Sequence, residues 1–186
     1  MSGGTASGAY DDAWQFRRAT VDDVDAIMLL ERSTFVNDAW SADSMRHEVS
    51  SEHCYYVVAF HPSSPQRIDA YAGLLAPAGS QDGDIQTIAV APESRRQGLG
   101  RSLVLSLMNE ARKRGITAVF LEVRADNPGA QTLYRGLGFE EIGVRPHYYQ
   151  PDDVDAIVMR VDVPPTRAGL ADSSGVAATQ TAEEPR

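Results

Sequence analysis

Between positions 99 and 111 the apolar residues fall at Leu99, Leu103, Val104, Leu107, Met108 and Ala111, the three-and-four spacing of one helical stripe. The stripe opens directly on Gly98-Leu99-Gly100 and closes on Gly115, a glycine where a helix C-terminus favours one. A helix of this kind must lay its stripe on another layer, and the segments flanking it, 84–91 and 117–123, have the length and apolar content of strands. The rest of the chain reads around that unit. A strand is predicted over 14–19, and Thr20 then offers an N-cap with Asp23 at the third position, ahead of a helix over 24–32. A second helix follows Ser41. Strands over 54–60 and 68–75 are joined by His61-Pro62-Ser63-Ser64-Pro65, which suits a hairpin. Asn127-Pro128 opens a further helix, ended by the glycines at 136 and 138, and strands near 139–144 and over 155–163 complete the order β-α-α-β-β-β-α-β-α-β-β. The class is α/β (α+β), a mixed sheet with helices on its faces.

A chain of 186 residues suits one domain. The folded part is predicted over 13–163, with 1–12 and 164–186 as disordered tails of Gly, Ser, Ala, Pro and acids. One cysteine excludes an internal disulfide, and no apolar run approaches the roughly 20 residues of a membrane span. The N-terminus lacks the basic and apolar regions of a signal peptide, so the reading places the protein in the cytoplasm. A net charge of -9 disfavours nucleic acid and favours a basic protein or peptide as partner. Cys54 begins an aromatic strand and reads as a small core residue rather than a nucleophile. His47, Glu48, His53 and Cys54 cluster without the His-Glu-x-x-His pattern, so no metal site is expected, and His147 reads as a surface or loop-packing residue.

Chemistry concentrates at Arg95-Arg96-Gln97-Gly98-Leu99-Gly100-Arg101-Ser102. Glycines there admit a ligand close to the backbone, and the first N–H groups of the helix, unpaired within it, point at an anion. Three phosphate-binding designs share this logic. A nucleotide-triphosphate loop needs Gly-Lys-Ser/Thr, and Arg101-Ser102 lacks the lysine. A dinucleotide fingerprint needs a third glycine where Leu103 stands, and a turn immediately after the strand. The third design, Arg/Gln-x-x-Gly-x-Gly/Ala, is the coenzyme A loop of the GNAT superfamily of N-acetyltransferases, and 95–100 resembles it at every fixed position. The alternative reading is a loop that merely turns the chain.

The resemblance extends over about 14–163. Thr87-Ile88-Ala89-Val90, Leu121-Glu122-Val123-Arg124, and Asn127 through Leu133-Tyr134 and Gly138-Phe139 are similar to the RimI branch, the ribosomal-protein alanine N-acetyltransferases. Trp40-Ser41 and His147-Tyr148-Tyr149 resemble that branch's two substrate-side segments; Ala39 replaces the usual Pro before Trp-Ser, and Gln150 separates the tyrosines from Pro151. The resemblance implies the GNAT fold, with a V-shaped splay in a mostly antiparallel sheet, and acetyl-CoA as cosubstrate with no metal. It implies coenzyme contacts from Asn127 and from the backbone of Ile88, Ala89 and Val90, and a bulge in the strand that carries them. Trp40, Tyr148 and Tyr149 would face the acceptor, the N-terminal alanine of small-subunit ribosomal protein eighteen. A monomer or weak dimer is expected.

Two side chains carry the reaction in this reading. Glu122 is the only charged residue of 118–123, so a carboxylate enters an apolar strand at desolvation cost, which would raise its pKa toward the range of a general base. An ion pair with a nearby arginine such as Arg124, or an edge position facing solvent, is the alternative reading. Tyr134 follows Asn127 by seven residues, about two turns and about 10 Å along one helix face. The resemblance assigns it the proton for the departing thiolate; without that, it reads equally as a core tyrosine beside Leu133 and Leu137. Asn127 before Pro128 is in itself an ordinary cap. Lysine or small-amine acetylation, and a non-catalytic coenzyme-binding regulator, remain as alternative functions.

Overall fold

The computed structural model describes residues 13–165. The expectations for 1–12 and 166–186 lie outside the described residues. Seven strands, β1 (Gln15–Arg18), β2 (Cys54–Phe60), β3 (Ala70–Leu75), β4 (Asp82–Val90), β5 (Ala118–Arg124), β6 (Glu140–Tyr149) and β7 (Val154–Asp162), alternate with four α-helices. These are α1 (Val24–Thr34), α2 (Ala42–Ser50), α3 (Leu99–Lys113) and α4 (Pro128–Arg135). The strands form one sheet in the order β1-β2-β3-β4-β5-β7-β6. Every neighbouring pair is antiparallel except β4 and β5, which α3 connects in parallel.

Two apolar layers flank the sheet. Leu99, Leu103, Val104, Leu107 and Ala111 of α3, the expected stripe, pack with Ala72, Leu74, Ile85, Val119, Leu121 and Val123. On the other face Val24, Ile27, Met28 and Leu30 of α1 and Met45 of α2 pack with Tyr56, Val58 and Tyr71. Thr20 accepts its expected role: Asp23 takes its backbone N–H at 2.8 Å and holds Arg17 through two bonds of 2.7 Å, pinning β1 to the start of α1. Gly73 sits where β3 passes over the Tyr56 ring, and an added Cβ would lie 2.4 Å from Tyr56 Cζ. Gly73→Ala should therefore destabilise the fold by about 1–3 kcal/mol, read from the urea midpoint.

Several element boundaries shift by one or more residues from expectation, those of β3, β4 and β6 among them. β3 starts at Ala70 rather than 68, because Asp69 is drawn into a corner where its carboxylate meets Ser94 Oγ and Arg67 and its carbonyl accepts from Ala91. β4 runs over 82–90 rather than 84–91. β6 continues past Pro146 to Tyr149, because it is an edge strand and one missing N–H leaves no partner unpaired inside the sheet. Tyr148 and Tyr149 thus lie on a strand end instead of a loop.

Candidate active site

The parallel pairing of β4 with β5 runs only from Asp82 opposite Ala118 to Ile85 opposite Leu121. Beyond it no β5 residue pairs with 86–90, and the strands part: this is the V-shaped splay. Backbone groups of 86–90 that face β5 therefore have no ladder partner there, although Arg95 Nε donates to the Val90 carbonyl at 3.1 Å. The strand carries the bulge that the resemblance implies: Gly73 pairs with Thr87 and Leu74 with Ile85, so Gln86 is the extra residue. The bulge puts two consecutive side chains on the α1/α2 face. Gln86 there donates to Glu48 of α2 and accepts from Tyr56, and Thr87 bonds Tyr71.

A cleft of about 580 Å³ fills the splay. Ile88, Glu122, Asn127, Tyr134, Trp40, Tyr148 and Tyr149 all line it, so the structure brings together the sequence-predicted residues of both reactive and acceptor sides. The 95–102 loop is set apart at the start of α3. Gly98 caps that helix at φ +83° with open space where a Cβ would stand, and Gly100 presses against Leu133 of α4, 3.2 Å from its virtual Cβ. Arg95, Arg96 and Arg101 are exposed beside the unpaired N–H groups of the first turn. Such a cradle of cations and free amides fits a pyrophosphate. Gln97 is held by Trp14 Nε1, which donates to it at 3.2 Å, and its own amide bonds the Glu93 carbonyl. Gly98→Val would force a β-branched residue into left-handed backbone, and should weaken acetyl-CoA binding at least about tenfold by titration calorimetry.

Glu122 is less buried than its strand suggests, with its side chain 29% exposed. Its ion-pair partner is Arg145 of β6, at 3.4 Å, and not Arg124, which bonds Asp126 and Asp152 and lies over the Tyr149 ring. Tyr134 is buried, edge-on to Phe139 at 5.8 Å, and burial pushes its phenol up to about 12. It is both a core tyrosine and a cleft residue. Asn127 caps α4 through Oδ1, which accepts from Ala130 N at 3.1 Å, and this leaves its amide N–H groups for a ligand. Tyr148 and Tyr149 meet edge to face at 5.1 Å. His147 lies in β6 where its register against β7 shifts, at φ +55°, and is bonded to Asp153 and Asp155. Burial and Glu48, 2.9 Å away, push the Cys54 thiol up to about 12, which leaves it a poor nucleophile.

One cleft residue escaped the sequence reading. Glu31 of α1 is fully buried, accepts from Trp40 N at 2.9 Å and from Tyr71 Oη, and so anchors the segment that carries Trp40. Its signal was helical phase: Val24, Ile27, Met28 and Glu31 form one apolar stripe with a carboxylate in it. Among the described residues no group of three or more His, Cys, Asp or Glu is arranged to hold a metal ion, and no helix is long and apolar enough to cross a membrane.

A sheet splayed between two parallel strands, with an anion cradle at the following helix, defines an acyl-coenzyme transferase class. The chain belongs to the acetyltransferase (GNAT) family, whose model matches residues 22–139, and so to a family of acetyl-transferring enzymes that use acetyl-CoA. Within that family it is RimI-like. It is 38% identical over 136 residues to the N-alpha-acetyltransferase RimI of Mycobacterium tuberculosis, covering 72% of this chain and 82% of that protein. An uncharacterized protein of Mycobacterium leprae is 38% identical over 144 residues, 76% of this chain, but the match spans only 38% of that longer protein. The crystal structure of the ribosomal-protein-S18-alanine N-acetyltransferase of Escherichia coli superposes with a TM-score of 0.73 at 29% identity, covering 85% of this chain and 99% of that one.

Proposed function

We propose that this chain transfers an acetyl group from acetyl-CoA to the α-amine of a protein N-terminus, with the N-terminal alanine of small-subunit ribosomal protein eighteen as acceptor. The observation that carries this reading is the meeting of Glu122 and Tyr134 in one cleft, between the α3 cradle and the aromatic acceptor walls. The first turn of α3 and the arginines at 95, 96 and 101 hold the pyrophosphate. Asn127 and the free backbone of 86–90 hold the pantetheine arm. Glu122, in reach of solvent, accepts the ammonium proton directly or through water, and Tyr134, protonated across neutral pH, donates to the sulfur as the C–S bond breaks. An α-amine with pKa near 7.7–8.0 is roughly a tenth neutral at pH 7, whereas lysine, near 10.4, would need roughly 3.4 kcal/mol more help. A partly exposed glutamate suits the first. The relative from Escherichia coli, named for S18 alanine, supports the acceptor assignment. So does an acidic chain whose cleft also carries Asp38, a match for a basic peptide.

The test supplies labelled acetyl-CoA with a free Ala-terminated peptide, the same peptide blocked at its terminus but containing lysine, and a polyamine. Label on the free terminus alone is the expected result. Label on the blocked peptide or polyamine would move the assignment to side-chain or small amines, and binding without transfer would make the chain a coenzyme-dependent regulator.

A further inference from the structure

Acetylating an ammonium requires the nitrogen to lose two protons, one before attack and one as the C–N bond forms, while the sulfur takes back only one. Glu122 and Tyr134 account for one loss and the gain. The second loss needs another acceptor on the face from which the amine arrives. Among the residues lining the cleft, the bulge at Gln86 aims Thr87 at Tyr71, whose hydroxyl lies 3.1 Å from Thr87 Oγ1 and donates to the buried Glu31 carboxylate. Because the Tyr71 O–H is committed to Glu31, Thr87 is the donor to Tyr71, which leaves its oxygen able to accept a further hydrogen bond in the cleft it lines.

From this geometry, and resting on the function proposed above, we infer that Thr87 is a further catalytic residue: it accepts the second amine proton and passes charge inward through Tyr71 to Glu31. The step balances. As the nitrogen bonds the carbonyl carbon, its N–H proton moves to Thr87 Oγ1, the Thr87 proton to Tyr71 Oη, and the Tyr71 proton to Glu31 Oε2. The nitrogen ends as a neutral amide and Glu31 as a neutral acid, and the chain runs in reverse to solvent once the product leaves. A carboxylate taken wholly out of water is costly to keep; Tyr71 Oη and Trp40 N donate to it, and Thr87 joins the chain through Tyr71, which gives the continuous hydrogen bonds a relay needs. Burial, the main cause, holds the Glu31 carboxyl above its ordinary range, which favours taking up a proton. The other titratable groups around the relay are Asp38 on the α1–α2 connection, Tyr56 of β2 and, behind Tyr56, Glu48 of α2.

Thr87→Val removes the hydroxyl at constant shape. With the intact chain, acetyl-CoA and the Ala-terminated peptide, we expect kcat to fall on the order of 10²-fold with the acetyl-CoA KM unmoved, and the defect to persist at alkaline pH, where the amine is already neutral. Thr87→Ser should restore kcat to within a few-fold. Glu31→Gln should share the Val variant's defect if it folds, as judged by circular dichroism, and the Thr87 pair decides the matter if it does not. A Val variant with wild-type kcat, or a Ser variant as impaired as Val, would overturn the relay. Wild-type protein inactive on every amine would instead sink the function on which the relay rests.

Discussion

Tyr134→Phe is expected to lower kcat by roughly 10² to 10⁴ while acetyl-CoA affinity measured by calorimetry stays within a few-fold of wild type. The substitution removes one oxygen from a ring that packs edge-on against Phe139 and is otherwise enclosed by the α3-side core, so the fold should survive it. Under the proposed function, what it removes is the proton for the departing thiolate. Burial sets the phenol at about 12, so it is fully protonated throughout the neutral range and no protonation pre-equilibrium limits it. The deficit should accordingly be independent of pH up to at least about pH 10. Stopped-flow or steady-state detection of free thiol checks this directly. A Phe variant with wild-type thiol release would mean that Tyr134 serves only the core.

Glu122→Gln is the second large effect, on the order of 10² in kcat at pH 7. Gln keeps the size of Glu and an oxygen able to accept from Arg145, whose Nη2 stands 3.4 Å from Glu122 Oε1, so the change isolates the carboxylate charge. If that charge serves to take the proton of the incoming ammonium, its task vanishes once solution has done the same work. The ratio of wild-type to Gln kcat should then shrink by about tenfold between pH 7 and pH 9, as an α-amine of pKa near 7.7–8.0 becomes neutral. A constant ratio across that range would show that Glu122 orients the acceptor instead of deprotonating it. The partly exposed side chain of Glu122 is in contact with water, which is what a base that must shed its proton every turnover needs.

The two variants therefore differ in a measurable way, as do Glu122→Gln and Thr87→Val. One loses a proton acceptor whose task solvent can assume; the others lose groups engaged only while covalent bonds change. That contrast separates the initial deprotonation of the amine from the proton transfers of the bond-changing step, within a single cleft and without relying on the size of any one defect.

Local chemistry was readable from the chain alone. The stripe from Leu99 to Ala111, the glycines at 98, 100 and 115, and the Asn127-Pro128 cap each encode backbone conformation through residues within a turn or two of one another, and the elements formed as read. The backbone course of the 95–102 loop was legible for the same reason, since its glycines act on the backbone they sit in. What only the tertiary structure decided depends on partners distant in sequence. Glu31 became a buried relay terminus because α1 docks on β3, 40 residues away, where Tyr71 waits. The bulge at Gln86 arises from the register of β4 against β3, and no residue type in 82–90 announces it. Arg145, rather than Arg124, neutralises Glu122 because β6 folds back beyond β7, and Tyr148 with Tyr149 joined a strand because an edge tolerates Pro146. Helical phase and caps are properties of neighbouring residues, whereas register, burial and charge pairing belong to surfaces that exist only once the sheet has closed on its helices.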